Sequence, residues 1–492
     1  MFNSRITALL ISALFSFSLL QGQGYEIQLT VANLNDTSVI LGHYLNKSMY
    51  PDDTVKLNSK GQGVFKGDKE LPQGLYIIYL PSTYYFEIIL GNDQQFSIQS
   101  DTADFISNLS FQGSEENTIF LDFQKDMVAL RIRADSLTAA IRAQTVTSEV
   151  NRLNRDLQNI NSERINLINS ISEGHKDLFV SAFLKATLDI DVPAPPLDDK
   201  GNITDSLWQY NYYRNHYFDN FDISDNRLLR TPLYEDKIIN YLTKVIPQVP
   251  DSIIPETDMI IEKSLSDSTL FRYVLVTLFN YYGKSNIMGM DAVQMHIAEK
   301  YYLTRSWWSD TSFISDLKER VEKTNPLLIG KTAPDIELMS VPSDHFIAAA
   351  QDTALKKYPH VGTRIMLHDV DADYTVLAFW EADCAHCKTA IPELYKIYEE
   401  TLKNSSVTII AISTLFGEEG KVKWADFVNE NHLYDWINAW NPYSFEYKLK
   451  YDILSTPTIY ILDRDKKIIA KKVSPQQVAE IITSLINIKK DA

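Results

Sequence analysis

Cysteine is almost missing from this chain: there are two, Cys384 and Cys387, among 492 residues. Disulfide staples therefore cannot hold the fold together, and any intramolecular disulfide has to join these two. Glycine and proline are scarce, at 17 and 18, which excludes collagen-like repeats and long low-complexity linkers. Positive charge is in deficit. With 47 Lys and Arg against 64 Asp and Glu, the formal net charge is -17. Such a chain repels phosphate backbones, so nucleic acid is not an expected partner. Long hydrophobic runs are lacking as well. The most marked one, residues 6–20, falls short of the roughly 20 residues a membrane-spanning helix needs.

That short apolar run does have an informative setting. Arg5 precedes it, and Gln21-Gly22-Gln23-Gly24 follows, with small residues at alternate positions before Tyr25. The layout is that of a secretory signal peptide over 1–24. It predicts an exported, periplasmic protein, with an uncleaved membrane tether as the alternative.

Beyond it the hydrophobic period changes twice. Residues 25–113 alternate apolar and polar side chains in short runs, beginning with Tyr25-Glu26-Ile27-Gln28-Leu29-Thr30-Val31 and punctuated by glycine turns. This pattern predicts a small β-sandwich. Near Ser114 the period becomes helical, with Ser114 as N-cap and Glu115 and Glu116 in the first turn. The helical pattern continues to 326, broken at Val192-Pro193-Ala194-Pro195-Pro196. Its aromatic stretch from Trp208 to Phe218 is expected to be core. From 327 to 492 strands alternate with helices, which predicts an α/β domain. Strands are expected at 375–380, 407–413, 458–462 and 467–473. A capping box at Ser474-Pro475-Gln476-Gln477 opens the last helix.

The chemistry concentrates at Cys384-Ala385-His386-Cys387, directly after an apolar strand and at the start of a helix. Two cysteines three apart on a first helical turn can close a disulfide. The partial positive charge of the helix N-terminus favours the thiolate of the first one. The thiolate is the attacking species in exchange, so Cys384 is the expected nucleophile and Cys387 the thiol that resolves the mixed disulfide. His386 is expected to help the thiolate form. Glu381 and Asp383 bring negative charge beside Cys384 and are expected to oppose it.

Five further segments agree in order with one family: Gly330-Lys331-Thr332-Ala333-Pro334-Asp335-Ile336-Glu337-Leu338, Thr375-Val376-Leu377-Ala378-Phe379-Trp380, Cys387-Lys388 with Pro392, Thr456-Pro457-Thr458, and Lys467-Ile468-Ile469 after Asp463. Together they resemble the thioredoxin superfamily, in its exported TlpA/ResA-like branch, often grouped with AhpC/TSA-type proteins. The resemblance covers 328–492 and implies a thioredoxin-like fold with Trp380 closing the strand before the site. It also implies a cis-proline at Thr456-Pro457 packed beside the sulfurs. The implied activity is thiol–disulfide exchange with protein thiols and disulfides, without a cofactor or metal, and with a membrane thiol donor to reset the pair. The expected direction is reduction. The alternatives are a DsbA-like oxidase, for which His386 speaks, and a binding or scaffold protein with a vestigial redox domain. The segments before 327 resemble a β domain and a helical region that precede such modules.

The sequence also departs from that pattern. Asp383 stands where the family carries tryptophan, and alanines occupy 378 and 390, where related proteins carry a buried acid. The usual proton acceptor for Cys387 is therefore absent. A peroxidase is disfavoured because position 381 is Glu rather than Thr. A structural zinc site is disfavoured because the single cysteine pair has no second pair of ligands.

Overall fold

The computed structural model describes residues 24–81, 84–104, 107–356, 362–441 and 444–491. The expected signal peptide, apart from Gly24, lies outside the described residues. The chain divides into two compact units. One holds the residues up to Ile246 together with Glu262–Leu270; the other holds Pro247–Ile261 together with Phe271 onward.

The first unit begins with two four-stranded sheets. β1 (Glu26–Ala32), β2 (Ser38–Leu45), β3 (Ser48–Lys56), β4 (Gln62–Lys66), β5 (Gly74–Tyr79), β6 (Tyr85–Leu90), β7 (Gln95–Asp101) and β8 (Ser110–Gln112) form the orders β4-β1-β7-β8 and β3-β2-β5-β6. Alternation does what period-two sequence requires. Ile27, Leu29 and Val31 of β1 turn inward to meet Val39, Leu41, Tyr76, Ile78 and Ile88 of the other sheet. Each such side chain, fully buried, contributes on the order of 1.5–3 kcal/mol. Gly61 makes the turn into β4 with φ +71°, and a Cβ there would lie 2.1 Å from the Val31 carbonyl oxygen. β3 escaped the sequence reading because Pro51-Asp52-Asp53 resembles a turn. Among the described residues it is an edge strand, paired only with β2 and bulged opposite Leu41 and Gly42, which is where a strand tolerates proline.

Helices Glu115–Ala143 and Thr147–Gly174 follow, and the Ser114 side chain accepts the Asn117 N–H as the N-cap. The helix Trp208–His216 has no buried residue, which corrects the expectation of an aromatic core there. Its rings instead stack along the half-exposed surface, Trp208 on Tyr212 at 5.2 Å and Tyr212 on His216 at 4.2 Å. Burial begins only at Tyr217 and Phe221.

The second unit carries a seven-stranded sheet of order β10-β9-β13-β12-β11-β14-β15. Its strands are β9 (Glu337–Val341), β10 (Thr363–Met366), β11 (Tyr374–Trp380), β12 (Val407–Ser413), β13 (Ile437–Trp440), β14 (Thr458–Asp463) and β15 (Ile468–Lys471). β11, β12 and β13 run parallel; β14 is antiparallel to β11, and β15 to β14. The central strand β11 is buried on both faces, which explains its unbroken apolar sequence. Val376, Ala378 and Trp380 face one core, built with helices Cys387–Ile397, Gly417–Glu430 and Pro475–Asp491. Leu377 and Phe379 face the other, with Tyr447, Tyr451 and Tyr460. The Tyr451 hydroxyl donates to the Pro334 carbonyl at 2.7 Å and so pins the Gly330–Leu338 motif beneath that face. The capping box forms as expected: Ser474 N–H donates to the Gln477 amide oxygen at 2.9 Å, and Gln477 N–H to Ser474 Oγ at 3.3 Å.

Candidate active site

β11 ends at Trp380, and the chain turns once before helix Cys387–Ile397 begins. The turn is closed by the Cys384 N–H donating to the Glu381 carbonyl at 3.2 Å and the Lys388 N–H to the Cys384 carbonyl at 3.1 Å. Cys384 therefore stands just outside the helix, and Cys387 is its first residue. The first N–H groups of a helix have no partner within it. Here one of them is used on sulfur: the Cys387 N–H donates to Cys384 Sγ at 3.3 Å. The Cys384 thiol in turn lies 3.2 Å from the Thr456 carbonyl oxygen. Thr456-Pro457 is a cis peptide bond, and the following Thr458 opens β14 beside β11. Both thiols are free; Cys384 is half-buried and Cys387 fully buried.

These surroundings push the two thiols in opposite directions. Partial burial raises Cys384. Hydrogen bonding with the Cys387 thiol, with Thr456 and with the Cys387 and His386 backbone outweighs it, and the net displacement is downward from the ordinary value of 9.0. Burial, reinforced by the hydrogen bond to Cys384, pushes Cys387 up to about 12. One sulfur is prepared as a thiolate and its neighbour is kept protonated, which is the division that exchange chemistry needs.

The remaining sequence-predicted residues fall as follows. Trp380 is wholly buried and packs on Phe427 at a centroid distance of 5.0 Å. Its indole N–H has no partner among the described residues. His386 is exposed, and it is its backbone N–H that acts on Cys384. The Glu381 and Asp383 carboxylates, expected to oppose the thiolate, each have a lysine partner. The Asp383 carboxylate pairs with Lys423 at 3.3 Å. Glu381 accepts the Thr414 hydroxyl at 2.6 Å and has the Lys448 ammonium at 3.8 Å. Thr414 also donates its N–H to the Trp380 carbonyl at 2.9 Å. Thr414, Lys423 and Lys448 were not found from sequence, because isolated polar residues in the stretch 414–457 carry no spacing signal; only the fold brings them to the turn. Among the described residues no group of three or more His, Cys, Asp or Glu side chains gathers as a metal site would.

A central parallel strand leading into a helix that starts at a CxxC pair, with a cis-proline loop opposite, defines a thioredoxin-like domain. Residues 371–468 match the family described as thioredoxin-like. Ahead of it, residues 25–120 and 199–324 match two families, each described as a domain of unknown function. Among solved structures, a thioredoxin-like protein from Bacteroides caccae is similar at 19% identity, over 60% of this chain and 98% of its own, with a TM-score of 0.42. The thioredoxin domain of a thiol-disulfide oxidoreductase from Bacteroides vulgatus is similar at 23% identity, over 32% of this chain and 96% of its own, with a TM-score of 0.25. A thiol-disulfide oxidoreductase from Bacteroides fragilis is similar at 21% identity, over 32% and 99%, with a TM-score of 0.25. No curated protein matches the chain.

Proposed function

We propose that this chain is a thiol–disulfide oxidoreductase that reduces disulfides of proteins outside the cytoplasm. The observation that carries the reading is the pairing of a hydrogen-bonded, half-buried Cys384 with a buried, protonated Cys387 one helical turn away. The Cys384 thiolate attacks one sulfur of the substrate disulfide and expels the other as a thiolate, leaving a mixed disulfide. Cys387 then loses its proton and attacks Cys384 Sγ, which frees the second substrate thiol and closes the Cys384–Cys387 disulfide. Two electrons pass to the substrate, and a thiol donor restores the pair. A membrane thiol carrier suits an exported protein, and the signal-peptide pattern of 1–24 supports export. The quoted motifs support placement in the TlpA-like branch.

The lowered Cys384 thiol also supports the opposite direction, because a stabilised thiolate makes the disulfide a stronger oxidant. The reduction potential separates the two. A value near or below about −250 mV marks a reductase, and one near about −120 mV an oxidant. The exchange reading itself is tested by insulin reduction with dithiothreitol as donor. Wild type is expected to accelerate it, and Cys384→Ser to fall to the uncatalysed rate; a fully active Cys384→Ser protein would refute the mechanism.

A further inference from the structure

Glu381 and Asp383 stand three positions and one position before the nucleophile. Two uncompensated carboxylates so close would disfavour a thiolate. Each meets a lysine from a different helix. Lys423, on Gly417–Glu430, reaches Asp383 at 3.3 Å and Glu419 at 2.9 Å. Lys448, on Glu446–Lys450, stands 3.8 Å from the Glu381 carboxylate, whose same oxygen accepts the Thr414 hydroxyl. Thr414 and both lysines belong to the one segment that joins β12 to β14. We propose that Lys423 and Lys448 are positioning residues for the nucleophile, each holding one flanking carboxylate turned toward it and offsetting its charge, so that the Cys384 thiolate forms against less negative charge. The inference rests on the exchange reading and deepens it. It gives the segment between β12 and β14 a task in the chemistry of a turn that is far away in sequence.

The other charged groups near this turn leave the assignment intact. His386, which precedes the helix Cys387–Ile397, and Lys388, in its first turn, are both exposed. Glu446 and Lys450 pair with each other at 3.2 Å. Lys421 lies over the Trp440 ring at 4.6 Å. Glu419 shares Lys423 with Asp383, and Glu418 sits in the first turn of the same helix. The cis-proline loop contributes only Ser455, Thr456 and Pro457, which carry no charge.

The test is the pH dependence of Cys384 alkylation by iodoacetamide in the reduced, full-length protein, followed by mass spectrometry. Methionine keeps the lysine's length and removes its charge. In Lys423→Met/Lys448→Met the alkylation midpoint is expected to rise by roughly half a unit to one unit, with a smaller rise at high salt because the groups are partly exposed. Lys423→Arg/Lys448→Arg is expected to keep the wild-type midpoint. Adding Glu381→Gln/Asp383→Asn to the methionine pair is expected to return it. A midpoint that methionine leaves in place, or that the carboxamides fail to bring back, overturns the proposal. Alkylation needs no substrate disulfide, so this outcome is read independently of insulin reduction, where failure of the exchange reading would appear.

Discussion

A buried thiol that resists ionisation is a liability of known sign in alkali. Cys387 is fully buried and held protonated up to about 12, against an ordinary value of 9.0. Between these two values the unfolded chain gives up the proton and the folded chain keeps it. The folded state then binds more protons, so stability falls as pH rises through this window. The slope is at most about 1.4 kcal/mol per pH unit for a single group. Cys384 contributes in the other direction but outside the window. Its lowered thiol stabilises the folded state as pH rises toward 9, and that contribution is constant above it. Several buried tyrosines, Tyr76, Tyr234 and Tyr451 among them, are also raised, so the cysteine has to be isolated by difference. Urea midpoints of the reduced wild type and of Cys387→Ala, at pH 8 and pH 10, are expected to converge as pH rises. A constant gap would mean that Cys387 ionises in the folded state as freely as in the unfolded one. At this scale the sequence was informative where chemistry is written as spacing, as for Cys384 and Cys387; Thr456-Pro457 was located through the family resemblance of its segment. Thr414, Lys423 and Lys448 could not be located from sequence, because a lysine that faces an active-site turn has the same local sequence as one that faces water.

Elements in the second unit are fastened by specific polar contacts. Lys471, on β15, is only 9% exposed; its ammonium meets the Asp291 carboxylate and donates to the Leu327 carbonyl at 2.7 Å. This fixes helix Asp291–Ile297 and the start of the α/β domain to the edge of the sheet. Breaking such a pair from one side leaves a buried charge without its counterion, which costs about 3–5 kcal/mol in a fully buried site. Asp291 is a third exposed, so Asp291→Asn is expected to lower stability by about 2–3 kcal/mol after that discount. Lys471→Met removes the charge itself and is expected to cost less. Urea unfolding of both variants checks the order, and a larger loss for Lys471→Met would show that the ammonium and not the carboxylate anchors the contact. The elements that could be read from sequence are those with a full period. β11, β12, β14 and the capped C-terminal helix were of this kind. β13 has four residues and lies within the connection from β12 to β14, and β9 and β10 pair at the sheet's other side. In strands this short few positions carry alternation, and tertiary pairing decides them; β15, equally short, was legible because its segment also carries the family resemblance.

Over the whole molecule, the chain passes between its two compact units three times, after Ile246, Ile261 and Leu270. Helices Pro250–Ser264 and Ser268–Gly283 each contribute to both. No composition change marks those crossings, and a division set by packing leaves no punctuation in sequence. The tryptophans, however, are distributed unevenly. Trp208 lies in the first unit, while Trp307, Trp308, Trp380, Trp424, Trp436 and Trp440 lie in the second, together with both cysteines. Tryptophan fluorescence therefore reports mainly on the unit that carries the redox pair. Far-ultraviolet circular dichroism also sees the long helices Glu115–Ala143 and Thr147–Gly174 of the first. Closing the disulfide acts on residues of the second unit, since it removes the hydrogen-bonded thiolate at Cys384 and constrains the unfolded chain around residues 384–387. Oxidation is thus expected to displace the fluorescence midpoint in urea, while part of the dichroism signal keeps a redox-independent midpoint. Coincident curves that move together on oxidation would instead mean that the two units unfold as one cooperative body, and that the redox state of two sulfurs is felt by the β-sandwich as well.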